Sequence, residues 1–489
     1  MTNLEYDAVV VGSGPNGLCA AIALQQQGLS VLLIEGANTV GGGLRSEELT
    51  LPGLIHDRCS AIHPMALASP FMRDLPLQQH GVEFIYPRIC AAHPLDNGHA
   101  AVLHRTLPAT IEGLGTDGDT YRNLIGPVVD TWSSLESDLL GPIHTPSHPL
   151  SYTRFGLKAI RSAEALAKRF RTDEARALWA GMCAHSMIPL SYASSAAIGL
   201  VLTATGHVHG WPIVQGGSQR IAQALESYFI SLGGSVRTGH YIKSLNELPS
   251  SKVVLLDVST NQLLQIAGHK LSSIYKWQLK RYQYRMGVFK IDFALDGTIP
   301  FTAEPCREAG TVHVGGTFEE IAASERDAWN GKISKRPFVL LAQQSVFDAS
   351  RTDGRHHTVW AYCHVPNGSS ADMTAAIEQQ IERYAPGFRE RIVARHVTNP
   401  PAFEQYNPNY VGGDINGGAI DVSQLFTRPA LRLSPYRTSA KGIYICSAST
   451  PPGGGVHGMC GYHAARRALS DRFGIALPVD ASVRHRPVG

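Results

Sequence analysis

Residues 6–37 read YDAVVVGSGPNGLCAAIALQQQGLSVLLIEGA, and this stretch decides the fold. The apolar run at 8–11 passes straight into Gly12-Ser13-Gly14-Pro15-Asn16-Gly17 and then into an amphipathic helical pattern, so a strand, a glycine turn and a helix follow one another. Gly12 permits the tight turn, Gly14 lets backbone approach a pyrophosphate, and Gly17 lets the helix pack on its strand, while the helix N-terminus offers unpaired N–H groups to an anion. Pro15 suits the first helical turn, where its missing N–H costs nothing. A second strand over 30–34 ends in Glu35, 18 residues beyond Gly17, followed by Gly36 and Ala37. A carboxylate there accepts hydrogen bonds from both ribose hydroxyls and repels a 2′-phosphate, which disfavours NADP. Against a glycine-rich turn without a ligand stands the whole strand, helix, strand and acid in register; NAD and FAD remain equally open at this point.

With 489 residues, 44% of them hydrophobic and 17% charged, the chain has the composition of a large globular protein. Lys+Arg 43 against Asp+Glu 40 gives a net charge of +3 without a basic block, which offers no reason to expect a nucleic-acid partner. The eight cysteines (Cys19, Cys59, Cys90, Cys183, Cys306, Cys363, Cys446 and Cys460) are scattered with no C-x-x-C pair, so reduced thiols in a cytoplasmic setting are expected. No signal-peptide pattern precedes Tyr6, and the most apolar window, 196–203, is far too short to span a bilayer.

Further motifs separate the alternatives by resemblance. VGGGLRSEEL at 40–49 follows the acid directly, as in flavoproteins of the glutathione reductase and amine oxidase type. GIYICSASTPPGGGVHGMCGYHAARRAL at 442–469 is a second strand, glycine turn and helix near the other end. Together these resemble the phytoene desaturase family, and residues 407–442 resemble its phytoene dehydrogenase-related branch, within the amine oxidase superfamily. The resemblance implies FAD. Beyond the first fingerprint it assigns cofactor contacts to Gly42, Gly43, Leu44 and Arg45, the last neutralising the diphosphate or facing the flavin. It also assigns Ser447 and Ala448 near the ribityl and phosphate, and Gly455, Val456, His457, Gly458 and Met459 where a helix begins at the flavin's pyrimidine edge. Residues 214–245 resemble the return to the nucleotide domain, with Ile242 meeting the adenine.

The expected fold is α/β, a discontinuous Rossmann-like FAD-binding domain (1–70, 212–268 and 428–489) with an inserted α+β substrate domain (71–211 and 269–427), mainly helical near 130–205. Within that helical region Lys158, Arg161, Lys168, Arg169 and Arg171 are expected to make one face basic beside Leu157, Ile160 and Leu166. Such a face suits either peripheral contact with anionic lipid or plain solvation. Residues 281–295 alternate as a strand, with 338–343 and 358–364 as neighbours in a mixed sheet over the flavin. No second G-x-G-x-x-G follows a strand, and 253–256 runs into Asp257 without a glycine turn, so no built-in NAD domain is expected and electrons leave to oxygen or a quinone.

Flavin accepts the hydride, so the protein groups are harder to read. His457 is a candidate base or ring partner, or only a source of backbone N–H; Asp57 and His63 lie in the stretch after the glycine motif and are catalytic or structural; Tyr410 and Asp414 are weaker candidates. His207-x-His209 and His356-His357 lack carboxylate or cysteine partners at ligand spacing, 414–417 reads as a turn, and no serine has a base at hydrolase spacing. Three functions follow: an FAD-dependent desaturase or dehydrogenase acting on a small apolar, isoprenoid-like or lipid-like substrate; an amine or amino-acid oxidase; or a flavin-binding interaction protein without turnover. The oligomeric state is not legible.

Overall fold

Runs of Val, Leu and Ile without polar alternation belong to strands covered on both faces, as in the middle of a parallel sheet. In the computed structural model, which describes residues 5–479, Tyr6–Val11 and Val31–Ile34 are such strands. They pair in parallel with Ala8 opposite Val31. Ser251–Leu256 flanks the first strand, Ile443–Ile445 lies beyond it, and Ser235–Arg237 extends the other edge, all parallel. One five-stranded sheet is thus assembled from three distant parts of the chain. Its strands fall within 1–70, 212–268 and 428–489, of which residues 1–4 and 480–489 lie outside the described part.

Helix Pro15–Gln25 buries nine of its residues between this sheet and helix Met459–Phe473. The two helices cross so closely that a Cβ at Gly461 would stand 1.8 Å from the Asn16 carbonyl oxygen. Only glycine fits there.

The second sheet has seven strands in the order Ile392–Thr398, Met286–Leu295, His357–Pro366, Val339–Ala342, Ala309–Val314, Ile89–Pro94, Ala100–His104. All neighbours are antiparallel except Ala309–Val314 with Ile89–Pro94. The alternating stretch at 281–295 starts its strand only at Met286, and all ten strand residues are buried instead of every second one. Both faces are covered: Phe289, Ile291 and Phe293 pack with Ile377 and Ile381 of helix Thr374–Tyr384, while Met286 and Val288 join the main core. Lys290 and Asp292, on the latter face, are buried and bonded to each other, with His56 Nδ1 3.5 Å from Asp292.

The expected basic face over 158–171 is broken up. Helices Pro149–Ala159 and Ala163–Ala167 are separate, Arg161 lies between them, and Lys168 to Arg171 follow the second. Lys158 turns inward to donate to the carbonyls of Asn123 and Leu124. Leu166 is buried, whereas Leu150, Leu157 and Ile160 are exposed. Among the described residues no helix is long and apolar enough to cross a membrane.

The two parts of the molecule are fastened by a buried ionic knot. Arg351, fully buried, donates to Asp57 Oδ2 at 2.6 Å, to Asp348 Oδ2 at 3.1 Å and to the Val214 carbonyl at 2.8 Å. Asp57 Oδ1 accepts from Ser46 Oγ and the Ser218 N–H, and Asp348 Oδ2 accepts from the Gly216 N–H. Burial alone would raise the Asp57 carboxyl, but Arg351 and these donors outweigh it and hold it below the usual carboxylate value. Arg351→Met leaves two carboxylates buried without their cation and should destabilise the protein by about 3–5 kcal/mol. A urea unfolding midpoint within error of the wild type's would show that the knot does not carry this load.

Candidate active site

The dinucleotide cradle is built where the first strand ends. Gly12 takes φ +94°, and Gly17 lies so near that a Cβ on it would stand 1.9 Å from the Gly12 carbonyl oxygen. Gly14 caps helix Pro15–Gln25 with no side chain of its own over the helix N-terminus; Pro15 has no N–H and the Gly17 N–H is taken by Asp257, so the Asn16 amide is the one in the first turn left to an anion. Glu35, at the end of the second strand, accepts from Ser13 N–H at 2.9 Å, Ser13 Oγ at 2.5 Å and Ala37 N–H at 2.8 Å.

Arg45 lines the cavity with its guanidinium engaged by protein groups. Its guanidinium sits 3.2 Å from Glu35 Oε1, donates twice to the Thr39 carbonyl, and lies over the Tyr406 ring. It braces the Glu35 carboxylate at the end of the second strand. Arg45 is the one Lys or Arg among the described residues lining the cavity.

A second carboxylate, Asp257, follows strand Ser251–Leu256 and accepts from Gly17 N–H at 2.9 Å. Asn409 Nδ2 donates to its carbonyl, and Asn409 Oδ1 accepts from Ser259 N–H. Burial lifts the Asp257 carboxyl to about 7, Glu35 adds to the rise and the Gly17 N–H opposes it. A diphosphate beside this carboxyl would favour the protonated form further.

A continuous cavity of about 620 Å³ runs from this cradle to a chamber under the seven-stranded sheet. Gly36, Ala37 and Ile242 line its adenosine end; Gly42, Gly43, Ser447, Ala448, Gly455 and Val456 line its middle; Met187, Leu202, Leu340, Trp360 and Tyr362 line its far end. These residues fit an extended dinucleotide whose second ring system lies between the two sheets. Leu44, Gly17, His457, Gly458 and Met459, expected as cofactor contacts, stand behind the cavity wall. The wall ends at Val456, and the helix begins only at Met459, its first turn packed on Asn16 and Cys19.

The expected catalysts divide. His457 is buried and spends both ring nitrogens on its own loop: Nδ1 accepts from Met459 N–H, and Nε2 bonds the Gly453 carbonyl. It caps a helix and does not reach the cavity; burial takes it down to about 4. Asp57 is consumed by the Arg351 knot and is structural. His63 does line the cavity. Because Ser218 Oγ donates to Ser60, His63 Nε2 must donate to Ser218, leaving a buried Nδ1 without a partner. Burial lowers His63 to about 4, so it is neutral, an acceptor and a weak base. Tyr410 lines the cavity beside Cys59, whereas Asp414 is buried in its own turn, bonded to Asn416 N–H. Sequence reading missed Asp257, which it took only as a mark against a second nucleotide domain, and also Asn409, Trp360 and Tyr362. Among the described residues no cluster of His, Cys, Asp or Glu is placed to hold a metal.

A family model for NAD(P)-binding Rossmann-like domains matches residues 10–75. Pyridine nucleotide-disulfide oxidoreductase domain-containing protein 2 of Mus musculus is 26% identical, covering 96% of this chain and 94% of its own. A limonene dehydrogenase chain of Castellaniella defragrans is 22% identical over 96% of this chain and 95% of its own. A putrescine oxidase solved with putrescine superposes with a TM-score of 0.61 at 18% identity, covering 96% of this chain and 99% of that one. The fold is therefore the α/β architecture of amine-oxidase-type oxidoreductases, and the cofactor to which cradle and architecture point is FAD.

Gly14 has an ordinary φ of −64°, and a Cβ there meets only Asp257 Oδ2, at 3.0 Å. Gly14→Val should therefore fold yet lose at least about tenfold in bound flavin, because the side chain fills the space a pyrophosphate needs. Unchanged flavin content would remove the cofactor assignment. For Asp257 the sign follows from its raised value. The folded chain keeps a proton that the unfolded chain releases, so stability is full below about pH 4 and falls as pH rises to about 7. Asp257→Asn should flatten that fall, worth up to a few kcal/mol, in pH-dependent urea unfolding. Parallel wild-type and variant curves would place the carboxyl at its ordinary value.

Proposed function

We propose that the protein is an FAD-dependent dehydrogenase or desaturase that removes hydride from a small, uncharged, largely apolar substrate, with electrons leaving to oxygen or a quinone. The observation that carries this reading is the composition of the far chamber. Its described lining includes Met187, Ile198, Val201, Leu202, Leu340, Trp360 and Tyr362 but no Asp, Glu, Lys or Arg; Glu35, Arg45 and Asp257 all belong to the dinucleotide end. An ammonium group would be stripped of water there without a counter-charge. Bound FAD supplies the hydride acceptor. The chain's part is to hold substrate against it and keep water out, using apolar walls whose indole N–H groups are already satisfied: Trp360 donates to the Cys59 carbonyl and Trp211 to Thr311 Oγ1.

The relative named as a limonene dehydrogenase supports an apolar skeleton, and the fold shared with an amine oxidase supports the second reading, oxidation of an amine. Against that second reading, Trp360 and Tyr362 meet edge to face at 81° with centroids 4.8 Å apart, so they do not form a parallel pair that would sandwich a neutral amine. The phytoene desaturase-like resemblance gives the substrate class no finer than isoprenoid-like or lipid-like. The exposed Leu150, Leu157 and Ile160, beside Arg154 and Arg161, suit uptake of such a substrate from a lipid surface.

Anaerobic titration of the purified flavoprotein tests the proposal. The visible flavin band should bleach with a monoterpene or a liposome-delivered polyene and stay unchanged with a panel of primary amines. Bleaching by amines alone would transfer the protein to the oxidase reading.

A further inference from the structure

At the chamber wall and behind it lie three histidines that no part of the dinucleotide site uses. His185, at the end of helix Asp173–Ala184, lines the cavity. His313 on strand Ala309–Val314 and His93 on its parallel neighbour are fully buried, their rings 6.4 Å apart. His185 and His313 meet nitrogen to nitrogen, Nε2 to Nε2, at 3.1 Å. Such a contact holds one proton, so one imidazole donates and the other accepts. Burial keeps both neutral, taking His185 down to about 3 and His313 well below the ordinary value.

The direction of that bond is decided on the buried side. His313 Nδ1 is buried without a hydrogen-bond partner and abuts Gly181, where even a Cβ would come within 2.5 Å of it. His93 is not its partner: the His93 Nε2–H goes to the Gly316 carbonyl at 2.7 Å, and His93 Nδ1 is itself unpaired. A proton on His313 Nδ1 would be an orphaned donor, which interiors tolerate less readily than an unpaired acceptor. The His313 proton therefore belongs on Nε2 and is donated to His185. His185, accepting at Nε2 and neutral, carries its own proton on Nδ1, and of the three histidines it is the one that lines the chamber.

We propose that His185 is a substrate-orienting hydrogen-bond donor whose polarity is set from behind by His313, so that the chamber selects an apolar skeleton bearing an acceptor oxygen, a hydroxyl or carbonyl, over an ammonium. The inference rests on the chamber being the substrate site. The neighbouring indoles do not compete with this donor: Trp211 lies edge-on to the His185 ring at 6.2 Å and 72°, and its N–H, like that of Trp360, is spent inside the protein. His313 acts through His185 and is a positioning residue.

Two measurements on the flavin-loaded protein test this. With nitrogen-15 histidine, the ring signals lost in His185→Gln should show a protonated Nδ1 and a bare Nε2 at pH 7, and those lost in His313→Gln the reverse pattern. The opposite tautomers, or an imidazolium at His185, overturn the inference. Binding of 2-heptanone, 2-heptanol and 2-aminoheptane, followed by perturbation of the visible flavin band, should favour the ketone and alcohol over the ammonium by at least about tenfold. His185→Phe should weaken the ketone about five- to tenfold, the worth of one hydrogen bond, with flavin content unchanged. Undiminished ketone binding in that variant, or no preference over the ammonium in the wild type, also overturns it. Neither result touches the cofactor assignment, which fails separately if the wild-type protein carries no flavin.

Discussion

One guanidinium bridging two carboxylates holds the working parts of this molecule in register. Arg351 comes from the region of the seven-stranded sheet, Asp57 from the hairpin Ser46–Glu48 and Ile55–Asp57 that follows the first glycine loop, and the Val214 carbonyl and Gly216 N–H from the stretch where the chain returns toward the parallel sheet. Buried ions are costly in isolation, so the three elements meet only in the arrangement that satisfies every member. The cavity lies between the two sheets, and its shape depends on this join.

Within the cavity, charge is graded along its length. The dinucleotide end holds two carboxylates and a single guanidinium, and the guanidinium is committed to Glu35. In the proposed reading a diphosphate would be received by backbone amides of the glycine turn, with Asp257 favoured to keep its proton as negative charge arrives. Amides fixed by a strand–helix turn need no reorganisation to do this. The far end carries no formal charge among its described lining residues, and its polar groups are neutral imidazole, hydroxyl and thiol. In the proposed reading this gradient separates binding of the cofactor from selection of the substrate, so the same cradle can serve different chemistries by changing only the far wall.

The histidines illustrate how burial changes a residue's meaning. His63, His185 and His457 are all driven toward the neutral form, but by geometry they become an acceptor on the wall, a donor on the wall and a helix cap behind it. Their hydrogen-bond partners, and not their type, distinguish them.

The cradle was legible in the sequence because everything that makes it is local: Gly12, Gly14, Gly17 and Glu35 lie within one strand, helix and strand, and backbone sterics dictate what each glycine permits. The existence of a strand near Met286–Leu295 was legible as well, but its burial on both faces and the joining of distant strands into one parallel sheet were not, because both are set by what packs against them. What the far end selects was not legible either. Asp57 finds Arg351 across 294 positions, Asp257 finds Gly17 across 240, and His185 finds His313 across 128. Whether a carboxylate is a catalyst, a brace or a neutral neighbour of a phosphate depends on its desolvation and on the one donor that meets it. Both are set by packing between distant segments, and so only the tertiary structure decided them.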